Sequence, residues 1–403
     1  MNILMLTPRL PYPPNDGGAM AMYHMAKTLH ERGHQLTLAA LNTSKHWQDP
    51  GAMRTLAEVH TTDVDTRVRP LAALRSLLFG KIAYNIERFD HPQHHLLLAS
   101  LVRQRQFDLI QVEGTYLALY VDTIRQYTDA PIILRAHNVE YQIWQRMANS
   151  EKNPFKRWYY RHLTKRGLAF EKQYLPKFDG IVGITQQDAD SFGQLGYQGA
   201  LQAIPAGVAA GTQPELEPHM HPHSLAFIGS LDWLPNVQGL EWFITKVWPL
   251  VQKHSPHLSF HVAGKNPTAR VLNWNYPGLK MHGQVPDAQA FLSRYSVIVC
   301  PLLSGSGLRI KLLEAMAKGK AIVATQVAAE GLEIEPGTHM IVTDDPAAFA
   351  RAVCTLLEDA GARESMGKAA QARMEARYSW QVIAERFEAF YQLLITRKSS
   401  KNA

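Results

Sequence analysis

The segment that carries the most chemistry is residues 301–317, PLLSGSGLRIKLLEAMA, which follows a predicted strand. Gly305 and Gly307 make a flexible turn there, and Arg309 and Lys311 follow at the start of a predicted helix. Cations in the first turn of a helix cost up to about 1 kcal/mol, because the backbone N–H groups already make that end positive. A bound diphosphate turns this cost into a gain, since backbone donors, helix dipole and charged side chains then act together. The segment therefore predicts a phosphate-binding site, and the alternative is that both cations simply point into solvent.

Glu314 follows on the same predicted helix, between Leu313 and Ala315. A carboxylate among apolar and small side chains needs a polar partner, because burying it alone is costly. A ribose diol offers two hydroxyl donors, so we predict that Glu314 binds the ribose of a nucleotide. A salt bridge to Lys311 or Lys318 is the alternative.

A second candidate site is the first loop, PRLPYPPNDGG at residues 8–18, which lies between a predicted strand and an amphipathic helix. Gly17 and Gly18 at a helix start let a phosphate reach backbone N–H groups with no Cβ in the way. The alternative is a plain turn in which Asp16 caps the helix. The loop is not G-x-G-x-x-G, which argues against a dinucleotide-dependent dehydrogenase.

The elements that must position these residues alternate between short apolar strands and longer amphipathic helices. This alternation runs through residues 1–205, breaks at a Gly/Pro-rich patch (204–214) and a His/Pro-rich run (219–223), and restarts within 215–378. It predicts an α/β protein of two Rossmann-like, doubly wound parallel-sheet domains, with ligands in a cleft at the carboxyl ends of the strands. The predicted strands are 2–7, 35–41, 107–112, 131–134 and 180–184 in the first domain, and 225–228, 258–262, 279–282, 297–300, 321–324 and 340–342 in the second.

A last predicted helix, residues 379–395, follows the second series. Its bulky apolar residues recur at spacings of three and four, which makes one stripe that needs a partner surface. The residues of this stripe are Trp380, Ile383, Phe387, Phe390 and Leu394. The tail at 396–403 is short and polar, and we expect it to be frayed.

The composition is typical of a soluble protein and argues against a secreted or membrane-spanning one. The chain has 403 residues, 46% of them hydrophobic, and a formal net charge of +7. The N-terminus carries no basic leader, and no stretch approaches the roughly 20 apolar residues of a transmembrane helix. The only two cysteines, Cys300 and Cys354, fall in apolar segments. We therefore expect buried free thiols and a reducing, cytoplasmic compartment.

The positive charge favours anionic partners without choosing among them. Residues 152–177 hold eight Lys or Arg against one acid, Glu171, with aromatic residues interleaved. Such a helix can lie on an anionic membrane, whereas an ordinary amphipathic helix with its aromatic residues in the core is the alternative that we favour. We expect no nucleic-acid partner, since no recognition module is present and the basic residues are dispersed.

Several acidic residues are weaker candidates. Glu113 and Glu140 lie just beyond predicted strand ends, where they either face an acceptor or cap a helix. Asp63 and Asp65 mimic a metal-binding Asp-x-Asp motif, but any two aspartates make this pattern, and we expect no metal ion. The histidines at 219–223 lie in a Pro-rich linker without ligand-like spacing.

Four segments together resemble the family-4 retaining glycosyltransferases of the GT-B fold. Residues 305–317, with GKAIVAT at 319–325, resemble the donor-site signature of that family, and the loop at 8–18 resembles its first loop. RAHNVE at 135–140 resembles its N-domain histidine segment, and YSW at 378–380 its usual ending. The resemblance spans the whole chain.

The resemblance implies roles for the candidate residues. His137, Arg309 and Lys311 would be catalytic, with His137 on the donor sugar and the two cations on the diphosphate. The nucleotide-sugar donor would be bound by Gly17 and Gly18, whose backbone N–H groups donate to its phosphate, and by Glu314, which holds its ribose. Ser306 and Gly307 would bind it from the donor loop. The helix at 379–395 would pack back on the first domain.

Two departures from the family pattern bear on the donor sugar. Ser306 stands where the family commonly has a glutamate that holds the sugar hydroxyls. The usual Arg and Lys after the first strand of the second domain are also missing, since Gly229 is followed by SLDWLPN. We infer that Arg309 and Lys311 supply the missing charge.

The resemblance implies a retaining, metal-independent hexosyltransferase that uses a nucleotide-sugar donor and no cofactor. Its acceptor would be a glycan or a lipid-linked molecule in cell-surface polysaccharide or glycoconjugate synthesis, and the enzyme would be cytoplasmic with peripheral contact at the inner membrane surface. A nucleotide-sugar epimerase of the same architecture is one alternative. A catalytically silent sugar-binding or scaffold protein is the other, and Ser306 is the feature that favours it.

Overall fold

The structure, a computed structural model, describes residues 1–14, 16–80, 82–151, 153–208, 221–305 and 308–402. The chain forms two compact units, one of Met1–Pro205 with Ile383–Ala403 and one of Ala206–Val382. Ser306 and Gly307, two of the predicted donor-loop residues, lie outside the described residues.

The first unit is built on a seven-stranded parallel sheet of order β3-β2-β1-β4-β5-β6-β7. Its strands are β1 (Asn2–Thr7), β2 (Gln35–Thr43), β3 (Glu58–Val64), β4 (Leu109–Glu113), β5 (Ile132–Ala136), β6 (Gly180–Gly183) and β7 (Ala200–Ala203). Its helices are α1 (Gly17–Glu31), α2 (Pro70–Phe79), α3 (Tyr84–Glu87), α4 (Pro92–Gln104), α5 (Val121–Arg125), α6 (Glu140–Ser150), α7 (Pro154–Tyr174) and α8 (Gln186–Gln194).

The second unit is built on a six-stranded parallel sheet of order β10-β9-β8-β11-β12-β13. Its strands are β8 (His221–Ile228), β9 (Ser259–Ala263), β10 (Leu279–Gly283), β11 (Tyr295–Cys300), β12 (Ala321–Ala324) and β13 (Ile341–Val342). Its helices are α9 (Leu234–Trp242), α10 (Trp248–His254), α11 (Ala269–Leu272), α12 (Ala288–Ser293), α13 (Ile310–Ala317), α14 (Gln326–Ala329), α15 (Pro346–Glu358) and α16 (Ala360–Tyr378). The predicted α/β class with two parallel-sheet, Rossmann-like domains is confirmed.

Several helix starts follow the capping chemistry of their sequences. Asn153 accepts the N–H groups of Phe155 and Lys156, and Pro154 takes the first position of α7, where its missing N–H costs nothing. Thr185 and Asp188 form a reciprocal capping box at the start of α8. These local signals are why the helices begin where they do.

Two strands, β3 and β7, were not predicted, and the reason is their place in the sheet. Both are edge strands with a neighbour on one side only. Their side chains are largely exposed or half-buried, so neither segment shows a continuous apolar run. The interpretation of 219–223 as linker is also wrong from His221 onward, because β8 begins there and pairs His221 with Tyr295 of β11.

The last helix, α17 (Trp380–Asn402), extends beyond its predicted end at 395. The expectation of a frayed tail is wrong for residues 396–402, since Lys398 pairs with Asp179 and the Ser399 hydroxyl donates to the carbonyl of Ile395. From Ile383 onward this helix belongs to the first unit. Its buried residues there are Ile383, Ala384, Phe387, Phe390, Tyr391 and Leu394.

The fit of α17 against the first sheet is close. A Cβ added to Gly180 on β6 would lie 2.8 Å from side-chain atoms of both Phe390 and Leu394. Only glycine leaves room for these two side chains at that point of the strand. In the part of the chain that the structure describes, no helix combines the length and the apolar character needed to cross a membrane.

Candidate functional site

The candidate site of the second unit is built around the start of α13. Arg309 occupies the N-cap position and Lys311 lies in the first turn, since the helix begins at Ile310. Arg309 makes no capping hydrogen bond, because a guanidinium has donors only. Within the first turn of α13, the N–H groups of Ile310 and Leu312 donate to the carbonyls of Leu308 and Arg309. The side-chain charges, more than free N–H groups, therefore make this helix start attractive to an anion.

Arg309 packs against Trp233. Its guanidinium carbon lies 5.9 Å from the centre of the Trp233 ring, a cation–π distance that orients the charge. A Cβ added to Gly305 would come within 3.1 Å of Arg309 Nη2 and 3.2 Å of Trp233 Cη2. Gly305 also has φ of 117°, which L side chains rarely adopt. The turn before α13 thus needs glycine at this position.

A cavity of about 300 Å³ opens beside these residues. Its wall comes from the ends of β8 and β11, the turn at Trp233 and the start of α13. The loop after β9 joins the same edge, because a Cβ on Gly264 would lie 1.5 Å from Gly229 O, and the Leu231 N–H donates to Lys265 O at 2.8 Å. The carboxyl ends of three neighbouring strands therefore converge here.

Positive charge is concentrated at this edge. The surroundings of the Lys311 ammonium lower its pKa by partial desolvation, and repulsion from Lys265 lowers it further, although Glu314 opposes both effects. The Lys311 side chain is exposed, whereas Arg309 is half-buried. The alternative that both cations point into solvent is therefore wrong for Arg309, whereas Lys311 is exposed at the edge of the cavity. Cations held this close together create a site that favours an anion.

Glu314 lies half-buried on α13. Burial raises the pKa of its carboxyl, while the charges of Lys311 and Lys318 and a side-chain hydrogen bond from Gln289 partly lower it again. Both lysines act on Glu314 through their fields and not through hydrogen bonds. The alternative of a structural salt bridge is therefore weak.

In the first loop of the first unit, Asp16 occupies the helix start. Its carboxylate accepts the Ala19 N–H at 3.1 Å and pairs with the guanidinium of Arg9. Burial alone would raise the pKa of Asp16, but these contacts bring it below its usual value. The structure therefore shows the capping alternative here, with Gly17 and Gly18 opening α1 directly behind the cap.

A cluster of buried charges lies at the carboxyl ends of β4 and β5. His137 Nε2 lies 2.8 Å from Glu113 Oε2, and the Arg135 guanidinium lies 3.5 Å from Glu113 Oε1. Burial would raise the pKa of Glu113, but Arg135 and His137 together hold it below its usual range. Glu113 is therefore ionised, and its complete burial excludes the interpretation that it faces an acceptor.

This cluster sets the state of His137. An ionised carboxylate only accepts, so Glu113 keeps the ring proton on Nε2. In the neutral ring Nδ1 is then an acceptor, and the side chain is 20% exposed. Gly114 follows β4 with φ of 96°, and a Cβ there would lie 3.9 Å from His137 Cδ2. His137 is thus a held, partly accessible imidazole at the edge of the first sheet.

α17 supports the same cluster. The Tyr391 hydroxyl donates to Gln111 Oε1, and the Gln111 amide donates to Glu113 Oε1. The guanidinium carbon of Arg135 lies 5.3 Å from the ring centre of Phe387. A continuous set of contacts therefore leads from the last helix to His137, all within the first unit.

Glu140 does not cap α6, and that alternative is wrong. Its carboxylate accepts the Tyr116 hydroxyl at 2.6 Å, and burial raises the pKa of Glu140 to about 7. The cap comes from Glu171 on α7, which accepts the N–H groups of Glu140 at 2.9 Å and Tyr141 at 3.2 Å. Burial raises the pKa of Glu171 to about 8.

The Asp-x-Asp candidates have other partners. Asp65 pairs with Arg67 and Arg69, and Asp63 accepts the indole N–H of Trp47 at 3.2 Å. Among the described residues no group of three or more His, Cys, Asp or Glu side chains is arranged to hold a metal ion.

Four residues of these sites were missed from the sequence. Lys265 had a usable signal, because Gly264-Lys265 follows a predicted strand. The sequence signal for Trp233 was weaker, namely its place in the loop that follows the first strand of the second unit. Gln111 and Tyr391 had none, since they are 280 residues apart in the chain.

Residues 16–207 match the family described as "Glycosyl transferase 4-like domain", and residues 222–359 match "Glycosyl transferases group 1". The "Uncharacterized 44.6 kDa protein in cps region" of Klebsiella pneumoniae is 24% identical over 364 residues, 87% of this chain and 89% of that protein. The phosphatidyl-myo-inositol mannosyltransferase of Mycobacterium leprae is 34% identical over 125 residues, 30% of this chain and 33% of that protein.

Among solved structures, Anabaena HepE in complex with UDP superposes with a TM-score of 0.64 at 15% identity, covering 97% of this chain and 100% of that one. This likeness extends over both parallel-sheet units, and the two family matches fall one in each sheet-bearing half of the chain. The chain therefore belongs to the group 1, family-4 glycosyltransferases of the GT-B fold.

Proposed function

We propose that this glycosyltransferase is a retaining, metal-independent hexosyltransferase that moves a sugar from a nucleotide-sugar donor to a glycan or lipid-linked acceptor. The observation that carries the proposal is the gathering of Lys265, Arg309 and Lys311 beside the cavity at the start of α13. The solved complex of HepE with UDP supports a nucleotide donor. The name of the mannosyltransferase relative, which includes phosphatidyl-myo-inositol, supports a lipid-linked acceptor and a role in polysaccharide or glycoconjugate synthesis.

In the proposed reaction the bond from the sugar to the diphosphate breaks, and a bond to the acceptor hydroxyl forms on the same face. The departing diphosphate gains negative charge, and the cations at the start of α13 stabilise it. The leaving oxygen takes the acceptor proton, so no separate base is needed. Fixed positive charge takes the place of a metal ion, and binding supplies the alignment of the two substrates.

His137 is assigned to the donor sugar near the reacting carbon, with Glu113 as its positioning residue. Glu314 is assigned to the ribose. Ser306 and Gly307 are proposed to belong to the donor loop. The backbone N–H groups of Gly17 and Gly18 are proposed to donate hydrogen bonds to the donor phosphate. For Gly17 and Gly18 the proposal requires that a phosphate approaches beside Asp16, because that carboxylate already accepts the Ala19 N–H.

The test of this proposal is one reaction, run in excess EDTA and followed by proton NMR. A thermal-shift screen first selects the donor, since a ligand at 100 times its Kd stabilises a protein by about 2.7 kcal/mol. We expect undiminished turnover and a first product with the anomeric configuration of the donor. An inverted product would overturn the retaining assignment. Loss of activity in EDTA that Mg²⁺ or Mn²⁺ restores would overturn the metal-independent assignment. A change of configuration in the sugar of the nucleotide sugar, in the absence of acceptor, would indicate an epimerase.

Glu314→Gln should raise the donor KM by about 10- to 100-fold, because hydrogen bonds to a charged group contribute about 1.5–3 kcal/mol. The effect on kcat should be smaller, since ribose binding is the same in ground and transition states. Steady-state kinetics with varied donor measures both constants. Glu330→Gln, at an exposed glutamate of the same unit, is the control. Unchanged constants in Glu314→Gln would mean that the carboxylate has no ribose role.

We also propose a cytoplasmic location with peripheral contact at the inner membrane surface. Cys300 and Cys354 are both free thiols, and burial raises the pKa of each. Unpaired cysteines of this kind are typical of a reducing compartment.

A further inference from the structure

Two helices of the first unit, α2 and α7, carry large apolar side chains that face solvent. They are Leu71, Leu78 and Phe79 on α2, and Phe155 and Trp158 on α7. Their exposed fractions run from 59% for Trp158 to 83% for Leu71. Single exposed apolar residues are common, but several on adjoining elements indicate a surface that is covered in use.

These side chains are separate from the core-facing side of α7. Leu163, Gly167, Phe170 and Tyr174 already bury one face of this helix against the first unit. The preferred interpretation of the basic, aromatic segment, with its aromatic residues in the core, therefore holds for Phe170 and Tyr174 and is wrong for Phe155 and Trp158. α7 has an outward apolar stretch in addition to its inward one.

α2 and α7 are held together by one side chain. The Arg166 guanidinium of α7 donates to the carbonyls of Ser76 at 2.5 Å and Leu77 at 3.0 Å, in the last turn of α2. Leu78 and Phe79 follow directly after these carbonyls. Their exposure is therefore a property of a docked helix end and not of a loose one.

The exposed charged residues of α2 and α7 have one sign. Arg75 on α2 and Lys156, Arg161 and Lys165 on α7 are exposed. α2 contains no acidic residue. The one acid of α7, Glu171, is buried on the inward side, where it caps α6. The outward surface of both helices is thus apolar and cationic, without a compensating anion of its own.

We propose that this surface, formed by Leu71, Arg75, Leu78 and Phe79 of α2 with Phe155, Trp158, Arg161 and Lys165 of α7, docks on an anionic lipid bilayer. Leucine, phenylalanine and tryptophan side chains enter the boundary between headgroups and acyl chains, while the cations remain at the level of the lipid phosphates. The charge decides among partners, since neutral lipid offers nothing to the cations. A nucleic acid would leave the leucines and phenylalanines without a partner. This places the first unit at the membrane.

The experiment is co-sedimentation of the full chain with vesicles of phosphatidylcholine alone or mixed with phosphatidylglycerol, without donor or acceptor. We expect binding to the mixed vesicles only, weakened by salt because exposed charges are screened. Phe155→Ser/Trp158→Ser removes the apolar anchors, and Arg161→Glu/Lys165→Glu reverses two cations. Each cation lost should lower the partition coefficient about fivefold, so the charge-reversed variant should bind at least about 25-fold more weakly.

The matched control is Lys246→Glu/Lys253→Glu, which reverses two exposed cations in the second unit and should bind like the wild type. All of the substituted side chains are exposed and none is in the core, so the thermal midpoints should stay unchanged and exclude misfolding. Equal binding to neutral and mixed vesicles, or wild-type binding by both test variants, would overturn the proposal. So would a chain that ignores the vesicles but forms a dimer that Phe155→Ser/Trp158→Ser converts to monomer. Because no nucleotide sugar is used, this outcome is independent of the proposed reaction.

Discussion

Arg309→Ala should lower kcat by about 10²–10³, and Lys311→Ala by a similar factor, because each removes one preorganised group that stabilises charge in the transition state. Arg309 is the better preorganised of the two, since Trp233 and Gly305 hold its guanidinium in place. Lys311 is exposed, but its ammonium lies in the field of Lys265. An incoming diphosphate relieves that repulsion, and the relief is largest when the diphosphate carries its full charge as a leaving group.

The same reasoning separates charge from shape at Arg309. Arg309→Lys keeps the charge but loses the planar group that stacks on Trp233, so it should recover only part of the lost rate. Initial rates at saturating donor measure kcat, and Lys253→Ala, at an exposed lysine of the same unit, is the matched control. Near-normal turnover in both alanine variants would remove the diphosphate site from α13.

Much of this architecture follows from local sequence patterns. The bounds of β1 and β12 agree with the predicted strands 2–7 and 321–324, because residues 3–6 and 321–324 are buried and form unbroken apolar runs. The placement of Arg309 and Lys311 at a helix start also follows locally, from a glycine turn between a strand and an amphipathic helix. A local pattern is sufficient wherever neighbours in the chain decide the conformation.

The remaining features depend on residues that are distant in the chain. Whether Asp16 or a ligand would take the start of α1 depends on Arg9, and their ion pair cannot be read from the glycines that follow. The position of Glu113 just beyond a predicted strand end allows it to face an acceptor, yet its burial follows from its contacts with Arg135 and Gln111. The spacing of residues along the chain does not predict such contacts.

Phe387→Ala on α17 should lower the free energy of unfolding by about 3–5 kcal/mol, the usual cost of removing a buried phenylalanine ring. Phe387 is fully buried, and its ring lies under the guanidinium of Arg135, which is also fully buried. The variant would leave a cavity beside a buried charge, and Arg135 would then hold Glu113 less firmly. The weaker hold on Glu113 should also position His137 less firmly. The variant should therefore be less active even at temperatures at which it is still folded.

Urea unfolding followed by fluorescence and by circular dichroism measures the effect, with Leu393→Ala on the same helix as control. Leu393 is 42% exposed, so its removal should change stability by no more than about 0.5 kcal/mol.

Deleting α17 after Val382 removes every one of its contacts with the first unit, including the Tyr391 bond to Gln111. We expect that truncated chain to be insoluble or inactive. If instead it stays soluble, binds nucleotide and turns over normally, the first unit folds without α17, and the apolar stripe of this helix serves a partner surface.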